Sequence, residues 1–206
     1  DKASDTSYIR HTKISGASLG VNPSVHRGAI SGINSHIIIR HIEIEDVLFP
    51  IYVENGSFSI SASSISCDYI CDYINIKGGD ALIEYCTFYG SNAEDTDAID
   101  LDNVSNGMVR NNRIYNFLGS NSDGIDIGEN SGNIHIQSNL IYHAFDKGIS
   151  VGQSSSIIAE KNVVVGSNHG IAIKDNSIAY LEKNTFFWND TSCLLYTSPS
   201  PRDVCS

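Results

Sequence analysis

The chain has 206 residues, of which 41% are hydrophobic, and it contains 13 Lys and Arg against 24 Asp and Glu, for a net charge of −11. Because binding to a phosphate backbone depends on Lys and Arg, this balance argues against a nucleic-acid partner and against attraction to anionic membranes. No apolar run reaches the roughly 18 residues of a spanning helix, so we expect no membrane insertion.

The first predicted strands lie near the amino terminus. Residues 8–14 resemble residues 38–44, which predicts an incomplete first turn of a repeating fold. Residues 16–23 have the composition of a loop. Residues 28–32 resemble a degenerate copy of the strand that the later repeats share. The repeat therefore begins before its most regular part.

A strand pattern of near-constant period organises the rest of the chain. In residues 121–127, Ile125 and Ile127 flank Asp126, the period-2 pattern of a strand with one face in a core. The central isoleucines of the successive copies are Ile51, Ile74, Ile99, Ile125, Ile149 and Ile171. They are separated by 23, 25, 26, 24 and 22 residues. A period of this size predicts a solenoid in which these isoleucines form one inward file.

A second set of repeated residues lies in the turns. Asn112, Asn139, Asn162 and Asn184 follow one another at 27, 23 and 22 residues, with Cys86, Ser64 and His41 at the equivalent earlier places. Strands in neighbouring coils lie about 4.8 Å apart, so stacked amides can hydrogen-bond along the solenoid. Asn also tolerates the left-handed backbone of a tight corner. We interpret these residues as structural.

The coil of 22 to 27 residues, with its strand, Asn turn, strand, loop and Gly-Ile-x-Ile segment, resembles the right-handed parallel β-helix of the pectin-lyase-like superfamily. The resemblance covers approximately residues 37–188, and it extends to β-helix segments of large secreted bacterial surface proteins. It implies an all-β solenoid of about seven coils with little helix, in a protein that is secreted or displayed on a cell surface. The superfamily contains lyases, hydrolases, epimerases, adhesins and inert spacers, so fold alone predicts no activity.

The carboxyl-terminal segment departs from the repeat. Residues 193–206 resemble read-through translation of a sequencing adaptor, so we expect one β-helix domain at 1–192 and a non-native tail at 193–206. We further expect the domain to be truncated at its carboxyl terminus and its amino terminus, as part of a longer multidomain chain. Outside the tail, Cys67, Cys71 and Cys86 have no regular spacing, which favours small buried thiols.

Alignment of the coils places polar residues in three rows beside the central isoleucines. The first row is Asp97, Asp123, Lys147 and His169, the second is Asp100, Asp126, Ser150 and Ala172, and the third is Thr96, Ser122, Asp146 and Asn168. Two neighbouring coils therefore bring Asp97, Asp100, Asp123 and Asp126 into one patch. Four carboxylates this close require a cation, a proton or a lysine. Oxygen ligands favour calcium over zinc, so these four residues are the predicted metal site.

Two catalytic hypotheses use the same rows. Residues 121–123, 146–147 and 168–170 resemble the successive Asn-Thr-Asp, Asp-Asp and Gly-His-Gly motifs of polygalacturonases. The resemblance implies Asp146 as the acid, Asp123 as a water-activating base and His169 in the third motif. Lys147 replaces the second carboxylate of the Asp-Asp motif, and the family's Arg-Ile-Lys motif would lie beyond the predicted truncation. A polysaccharide lyase would instead use Lys147 as the base and calcium to neutralise the substrate carboxylate.

The leading hypothesis is a carbohydrate-associated β-helix module that binds or acts on acidic polysaccharide through its Asp-rich face, with calcium as the one expected cofactor. The alternative is a non-catalytic structural or adhesive spacer, in which the acidic rows are solvated strand positions, and whether the chain is an enzyme is left open. Aromatic residues that could stack on sugars are predicted to pack in the core instead. These are Tyr89, Tyr115, Phe117, Tyr142 and Phe145.

Overall fold

The computed structural model describes residues 6–18, 20–22 and 26–196, and within them it contains strands and no helix. None of the described residues forms a helix long and apolar enough to cross a membrane. The strands are β1 (Thr6–Arg10), β2 (Lys13–Ser15), β3 (Ile30–Ile33), β4 (His36–Arg40), β5 (Glu43–Glu45), β6 (Ile51–Ser61), β7 (Ser64–Ser66), β8 (Ile74–Glu84), β9 (Thr87–Tyr89), β10 (Ile99–Arg110), β11 (Arg113–Phe117), β12 (Ile125–Gly128), β13 (Ile134–Gln137), β14 (Leu140–Ala144), β15 (Lys147–Val151), β16 (Ser156–Glu160), β17 (Val163–Val165), β18 (His169–Ile173), β19 (Ile178–Glu182), β20 (Thr185–Phe187) and β21 (Thr191–Leu195).

The strands stack into three faces, and all pairings between them are parallel. The first face contains β3, the first halves of β6, β8 and β10, and then β12, β15, β18 and β21. The second face contains β1, β4, the second halves of β6, β8 and β10, and then β13, β16 and β19. The third face is a separate sheet of eight strands: β2, β5, β7, β9, β11, β14, β17 and β20. The chain visits the faces in that order, so β3 to β20 make seven complete turns, which confirms the predicted parallel solenoid.

The core is a set of parallel files of side chains that run the length of the solenoid. The six central isoleucines from Ile51 to Ile171 pair in register from coil to coil, and every one has 0% exposure. Burying an isoleucine side chain contributes about 1.5–3 kcal/mol, so this file alone is a large part of the fold's stability. The predicted inward file is confirmed.

The early repeats are also confirmed. Tyr8 pairs with Ile38 between β1 and β4, and Ile30 pairs with Ile51 between β3 and β6. The predicted loop at 16–23 contains no strand among its described residues, while residues 19 and 23 lie outside them. The degenerate copy at 28–32 therefore occupies the same place in its coil as the regular copies.

The asparagine ladder is present, but two of its earlier equivalents were each predicted one residue away from their true position, Ser64 one residue late and His41 one residue early. Thr87 pairs with Ser64, and Ser64 pairs with Glu43, so the residues level with Cys86 are Ser63 and Ile42 rather than Ser64 and His41. The left-handed position was also misplaced, because the residue before each ladder asparagine adopts it. Those residues are Asn111, Ser138, Lys161 and Lys183, each with a φ of 56°.

The aromatic prediction is correct for Phe117, which is 1% exposed, but wrong for residues on the outside of the third face. Tyr89, Tyr142 and Phe145 are exposed, and the rings of Tyr89 and Tyr115 stack with centroids 6.0 Å apart. The three tyrosines point outward because Phe88, Ile114 and Ile141 occupy the inward positions of the same strands. Since the rings of Tyr89 and Tyr115 stack on each other, one face of each ring is occupied.

Three cysteines are buried as predicted: Cys67, Cys71 and Cys86. The beginning of the predicted tail continues the first face, because Cys193 in β21 pairs with Ile171 in β18. The rest of that tail, residues 197–206, lies outside the described residues.

Candidate functional site

The first predicted row forms a chain of carboxylates and backbone amides at the entry to the first face. Asp97 Oδ1 accepts a hydrogen bond from the Asp123 N–H at 2.6 Å, and Asp123 Oδ1 accepts one from the Lys147 N–H at 2.8 Å. In the same way, Asp72 Oδ1 accepts a hydrogen bond from the Asp97 N–H at 3.2 Å. The sequence prediction missed Asp72, although it stands two residues before Ile74, as Asp97 and Asp123 stand before their own central isoleucines.

Three of the four predicted metal ligands converge. One carboxylate oxygen each from Asp97, Asp123 and Asp126 lie within 4.8 Å of one another. The fourth, Asp100, pairs in register with Asp126 but accepts a hydrogen bond from Asn75 Nδ2 at 2.5 Å. The trio Asp97, Asp123 and Asp126 is named here the acidic trio. Its potential ligand atoms are all carboxylate oxygens, the type of ligand that calcium prefers, so the residues present fit the predicted ion.

Burial dominates the electrostatics of these acids. It raises the pKa of Asp97 well above its ordinary value, and the nearby carboxylates of Asp123 and Asp126 raise it further. Burial also raises the pKa values of Asp126 and Asp100. An uncompensated cluster of this kind favours either bound protons or a bound cation, because each removes the repulsion between the carboxylates.

Lys147 compensates one side of the cluster. Its Nζ lies 2.6 Å from Asp146 Oδ2 and 3.3 Å from Asp123 Oδ2, and the three side chains are almost entirely buried. His169 Nδ1 lies 3.6 Å from Asp146 Oδ1. The four predicted catalytic residues are therefore contiguous, in the order Asp123, Lys147, Asp146, His169.

This arrangement is poorly suited to the chemistry expected of those residues. Burial alone lowers the pKa of Lys147, but the charges of Asp123 and Asp146 outweigh burial and raise that pKa above its ordinary value. A lysine that removes a proton must be uncharged, so its pKa would have to be lowered. Asp146 is 2% exposed and already bound to Lys147, which leaves little access for a glycosidic oxygen. Burial raises the pKa of Asp123 to about 7 although Lys147 opposes the shift, and both of its oxygens are engaged.

A groove of about 660 Å³ opens on the first face beside the acidic trio. We call it the acidic groove. Its charged lining consists of Asp100, Asp102, Asp126, Glu129, Lys174 and Asp175. Asp126 belongs to both the trio and the groove, so a cation at the trio would lie at the wall of the groove.

Two glycines create this groove. Gly128, Gly152 and Lys174 occupy one outward row with Asp102, immediately after the inward residues of neighbouring strands. A Cβ on Gly128 would lie 2.7 Å from Asp102 Oδ1, and one on Gly152 would lie 3.1 Å from Lys174 Cε. The missing side chains therefore leave a gap between the acid at one end of the row and the lysine at the other.

Sequence reasoning missed the groove residues of the later coils. Gln153 and Asp175 stand in left-handed turns after their strands, and the Gln153 Oε1 accepts the Glu129 N–H at 2.7 Å. Asp175 Oδ1 is buried and has no hydrogen-bond partner among the described residues. The available signal was the row directly after the second inward residue of each first-face strand, in which Lys174 follows Ile173.

Comparison with known proteins supports the architecture. A family model described as "Right handed beta helix region" matches residues 51–202. A search of curated proteins found no match, and neither did a search of solved structures.

Proposed function

Because the chain belongs to the right-handed β-helix family, we propose that its function lies in what the fold presents on the first face: calcium-dependent binding of an acidic polysaccharide. The single observation that supports this proposal best is the position of Asp126, which joins three converging carboxylates to an open groove. We place the module in a secreted or cell-surface protein, where calcium is the available hard cation.

Calcium is the cation we propose because the acidic trio offers only oxygen ligands. Calcium takes six to eight oxygen ligands, so three carboxylates leave positions for water and for a ligand. Lys147 already holds Asp123, so Asp97 and Asp126 supply most of the negative charge that the ion would neutralise. Open sites of this kind in extracellular modules bind calcium with Kd values of about 10⁻⁴–10⁻³ M.

An acidic polysaccharide is the proposed ligand because the cation would supply its recognition. Five carboxylates surround the groove, and alone they would repel a uronate. A calcium ion shared between Asp126 and a uronate carboxylate removes that repulsion. Lys174 provides a second positive group in the groove wall. Binding should therefore require calcium rather than merely be strengthened by it.

Binding is favoured over turnover by the state of the four predicted catalytic residues. Lys147 is paired with Asp123 and Asp146 below the surface, and their charges hold the pKa of the lysine above its ordinary value. We propose that Asp123, Asp146, Lys147 and His169 support the wall of the site rather than react with substrate.

The test is titration calorimetry of the protein with polygalacturonate and with calcium alone. We expect binding of the polysaccharide in calcium and none in excess chelator. Asp126→Asn should weaken calcium binding by roughly tenfold or more, because it removes a charged ligand shared by trio and groove. Glu43→Gln, which removes an exposed carboxylate on the third face, is the matched control and should change nothing.

A second variant separates the groove from the ion. Gly128→Leu places a side chain into the groove against Asp102 and Gln153, so it should weaken polysaccharide binding while calcium binding is retained. If Asp126→Asn leaves calcium binding unchanged and Gly128→Leu leaves polysaccharide binding unchanged, the proposed site is wrong.

Turnover is measured in the same samples. Unsaturated ends would indicate a lyase, and new reducing ends without unsaturation would indicate a hydrolase. We expect neither product. If one forms and is abolished by Asp123→Asn and Lys147→Ala, the chain is an enzyme and the binding-only proposal is wrong.

The second candidate function is a structural or adhesive spacer. It is favoured by the continuous interior of the solenoid, in which buried asparagines bond from coil to coil. Absence of calcium binding together with absence of polysaccharide binding would support it.

A further inference from the structure

The second face has an outward stripe in which six of the eight side chains are aliphatic or aromatic. Residues that point outward from a sheet exposed to water are normally polar, and contiguous apolar surface marks interaction sites. From β1 to β19 the stripe consists of Tyr8, Ile38, Ser59, Leu82, Met108, His135, Ile158 and Tyr180. Tyr8 and Tyr180 are 58% and 61% exposed, and the apolar residues between them are partly exposed.

Beside the stripe, two residues further along each strand, runs a row of charged and polar side chains. In the same strand order it consists of Arg10, Arg40, Ser61, Glu84, Arg110, Gln137, Glu160 and Glu182. The positive charges are concentrated at the amino-terminal end of this row and the negative charges at the other end. None of the ion pairs among the described residues involves Arg10 or Arg40. The Arg10 guanidinium lies 4.8 Å from the centroid of the Tyr8 ring, and Glu182 contacts the neighbouring Lys183.

Both rows are self-complementary if the second faces of two copies of this chain are placed against each other with the order of the coils reversed in one copy. A two-fold axis in the contact plane, parallel to the strands and between β8 and β10, produces this arrangement. Each row then lies opposite the same row of the other copy, in the opposite coil order. In the charged row the facing pairs are Arg10 with Glu182, Arg40 with Glu160, Ser61 with Gln137, and Glu84 with Arg110. In the stripe they are Tyr8 with Tyr180, Ile38 with Ile158, Ser59 with His135, and Leu82 with Met108. Each charge thus meets its opposite, and each apolar residue meets one of similar size.

A shallow depression of about 400 Å³ lies at the centre of this face, and Ser59, Leu82, Met108 and His135 are among its lining residues. It straddles the proposed axis, because Ser59 and His135 lie on strands that the reversal exchanges. The apolar side chains of Leu82 and Met108 therefore lie at the middle of the face. The central pair Glu84 and Arg110, already 2.7 Å apart within one chain, would meet its own copy near the axis.

The third face shows that this symmetry is not a general property of the solenoid. Its outward row beginning at Lys13 continues with Glu43, Ser64, Thr87, Arg113, Leu140, Val163 and Thr185. Reversal of that row sets Lys13 against Thr185 and Glu43 against Val163. Neither charge finds a partner there.

We propose that the second face is a self-association surface on which two copies of this chain pack antiparallel. The eight described strands of the second face are spaced about 4.8 Å apart, and each contributes about five residues with a rise of about 3.3 Å per residue, so the face measures about 34 by 17 Å. This area, roughly 600 Å² per copy, is at the low end for a specific interface. The dimer therefore forms reversibly, in a concentration-dependent manner. The closed isologous contact uses the same patch on both copies.

The experiment is sedimentation equilibrium of the full chain over a range of concentrations, in reducing buffer so that the exposed Cys193 cannot cross-link copies. We expect a reversible rise from the chain mass of 22.4 kDa to twice that mass. A monomer at every concentration up to millimolar would overturn the proposal.

Charge reversal tests the antiparallel pairing itself. Arg40→Glu and Glu160→Arg should each weaken the dimer roughly tenfold, because two-fold symmetry creates two like-charge pairs per variant. The double variant in one chain restores both pairs, so its dimer should be as tight as the unmodified one. If the double variant stays as weak as the single variants, the antiparallel pairing is wrong.

An apolar variant tests the stripe. Met108→Glu should abolish dimerisation because Met108 lies next to the axis. Val163→Glu on the third face is the matched control and should leave the dimer intact. Thermal unfolding of each monomer shows whether the fold is retained. Equal loss of dimer in both variants would refute the proposed surface.

Discussion

At the scale of single residues, Lys147 lies between two buried acids of the first face. Its ammonium group is the cation that compensates both Asp123 and Asp146, and none of the three has much access to water. Removing one partner of a buried ion pair leaves an uncompensated charge, which is more costly than the pair is favourable. The predicted base of a lyase is therefore better understood as a positioning group for two acids.

Lys147→Met should accordingly lower the free energy of unfolding by roughly 3–5 kcal/mol at neutral pH. Urea denaturation at pH 7 measures this loss. The loss should shrink at acidic pH, because Asp123 is then protonated and no longer needs a cation. Lys183→Met, which removes an exposed lysine that contacts Glu182, is the control and should have little effect. A loss that is the same at both pH values would show that packing, not charge, dominates at Lys147.

At the scale of elements, the corners between the second and third faces are held by side-chain amides rather than by strand pairing. Asn139 Oδ1 accepts hydrogen bonds from the backbone and side-chain amides of Asn112, each at 3.0 Å. Its Nδ2 donates to the Val109 carbonyl at 2.9 Å and to Asn162 Oδ1 at 3.0 Å. Asn139 thus links three successive coils, because its amide has both a donor and an acceptor.

Asn139→Ala should lower the free energy of unfolding by roughly 2–5 kcal/mol, because it strands a buried backbone N–H and a buried carbonyl. Chemical denaturation measures the loss, and amide hydrogen exchange should show it in both adjoining coils. Asn106→Ala is a close control. Asn106 also bonds to both neighbouring coils, through Asp80 and Asn133, but in contact with water. An effect at Asn106 as large as at Asn139 would show that burial does not set the value of the ladder.

At the scale of the whole molecule, the first face concentrates negative charge in a chain that already has a net charge of −11. The pKa values of Asp72, Asp97, Asp100, Asp123 and Asp126 are all raised, with burial as the largest cause in each case. At these five residues the folded state therefore binds more protons than the unfolded state between pH 3.8 and the folded pKa values. Stability contributed by these protons is complete below that pH and is lost as the pH rises through the folded pKa values.

We therefore expect the free energy of unfolding, without divalent cations, to fall between about pH 4 and pH 7, the window that Asp123 defines. Calcium should restore stability at pH 7 and have little effect at pH 4, because protons and calcium compete for the same oxygens. Urea denaturation across this range, with calcium or chelator, measures both effects. Asp126→Asn should flatten the pH dependence. Stability that rises from pH 4 to pH 7 without calcium would contradict the expected sign.

The sequence alone determined the parallel solenoid, its period and the order of its rows. Inward residues such as Ile99 and Ile125 must alternate with outward residues, and a repeat of constant length places equivalent residues next to each other. Register therefore follows from the spacing along the chain, and so does the neighbourhood of Asp97, Asp123 and Lys147.

Only the tertiary structure decided which members of a row are accessible to solvent and which residues they contact. Asp146 became buried against Lys147, and Asp100 turned toward Asn75 rather than the acidic trio. The groove exists because Gly128 and Gly152 lack side chains between neighbours from other coils. Access and pairing depend on the sizes and charges of residues in adjacent coils, and on side-chain directions that spacing along the chain does not specify.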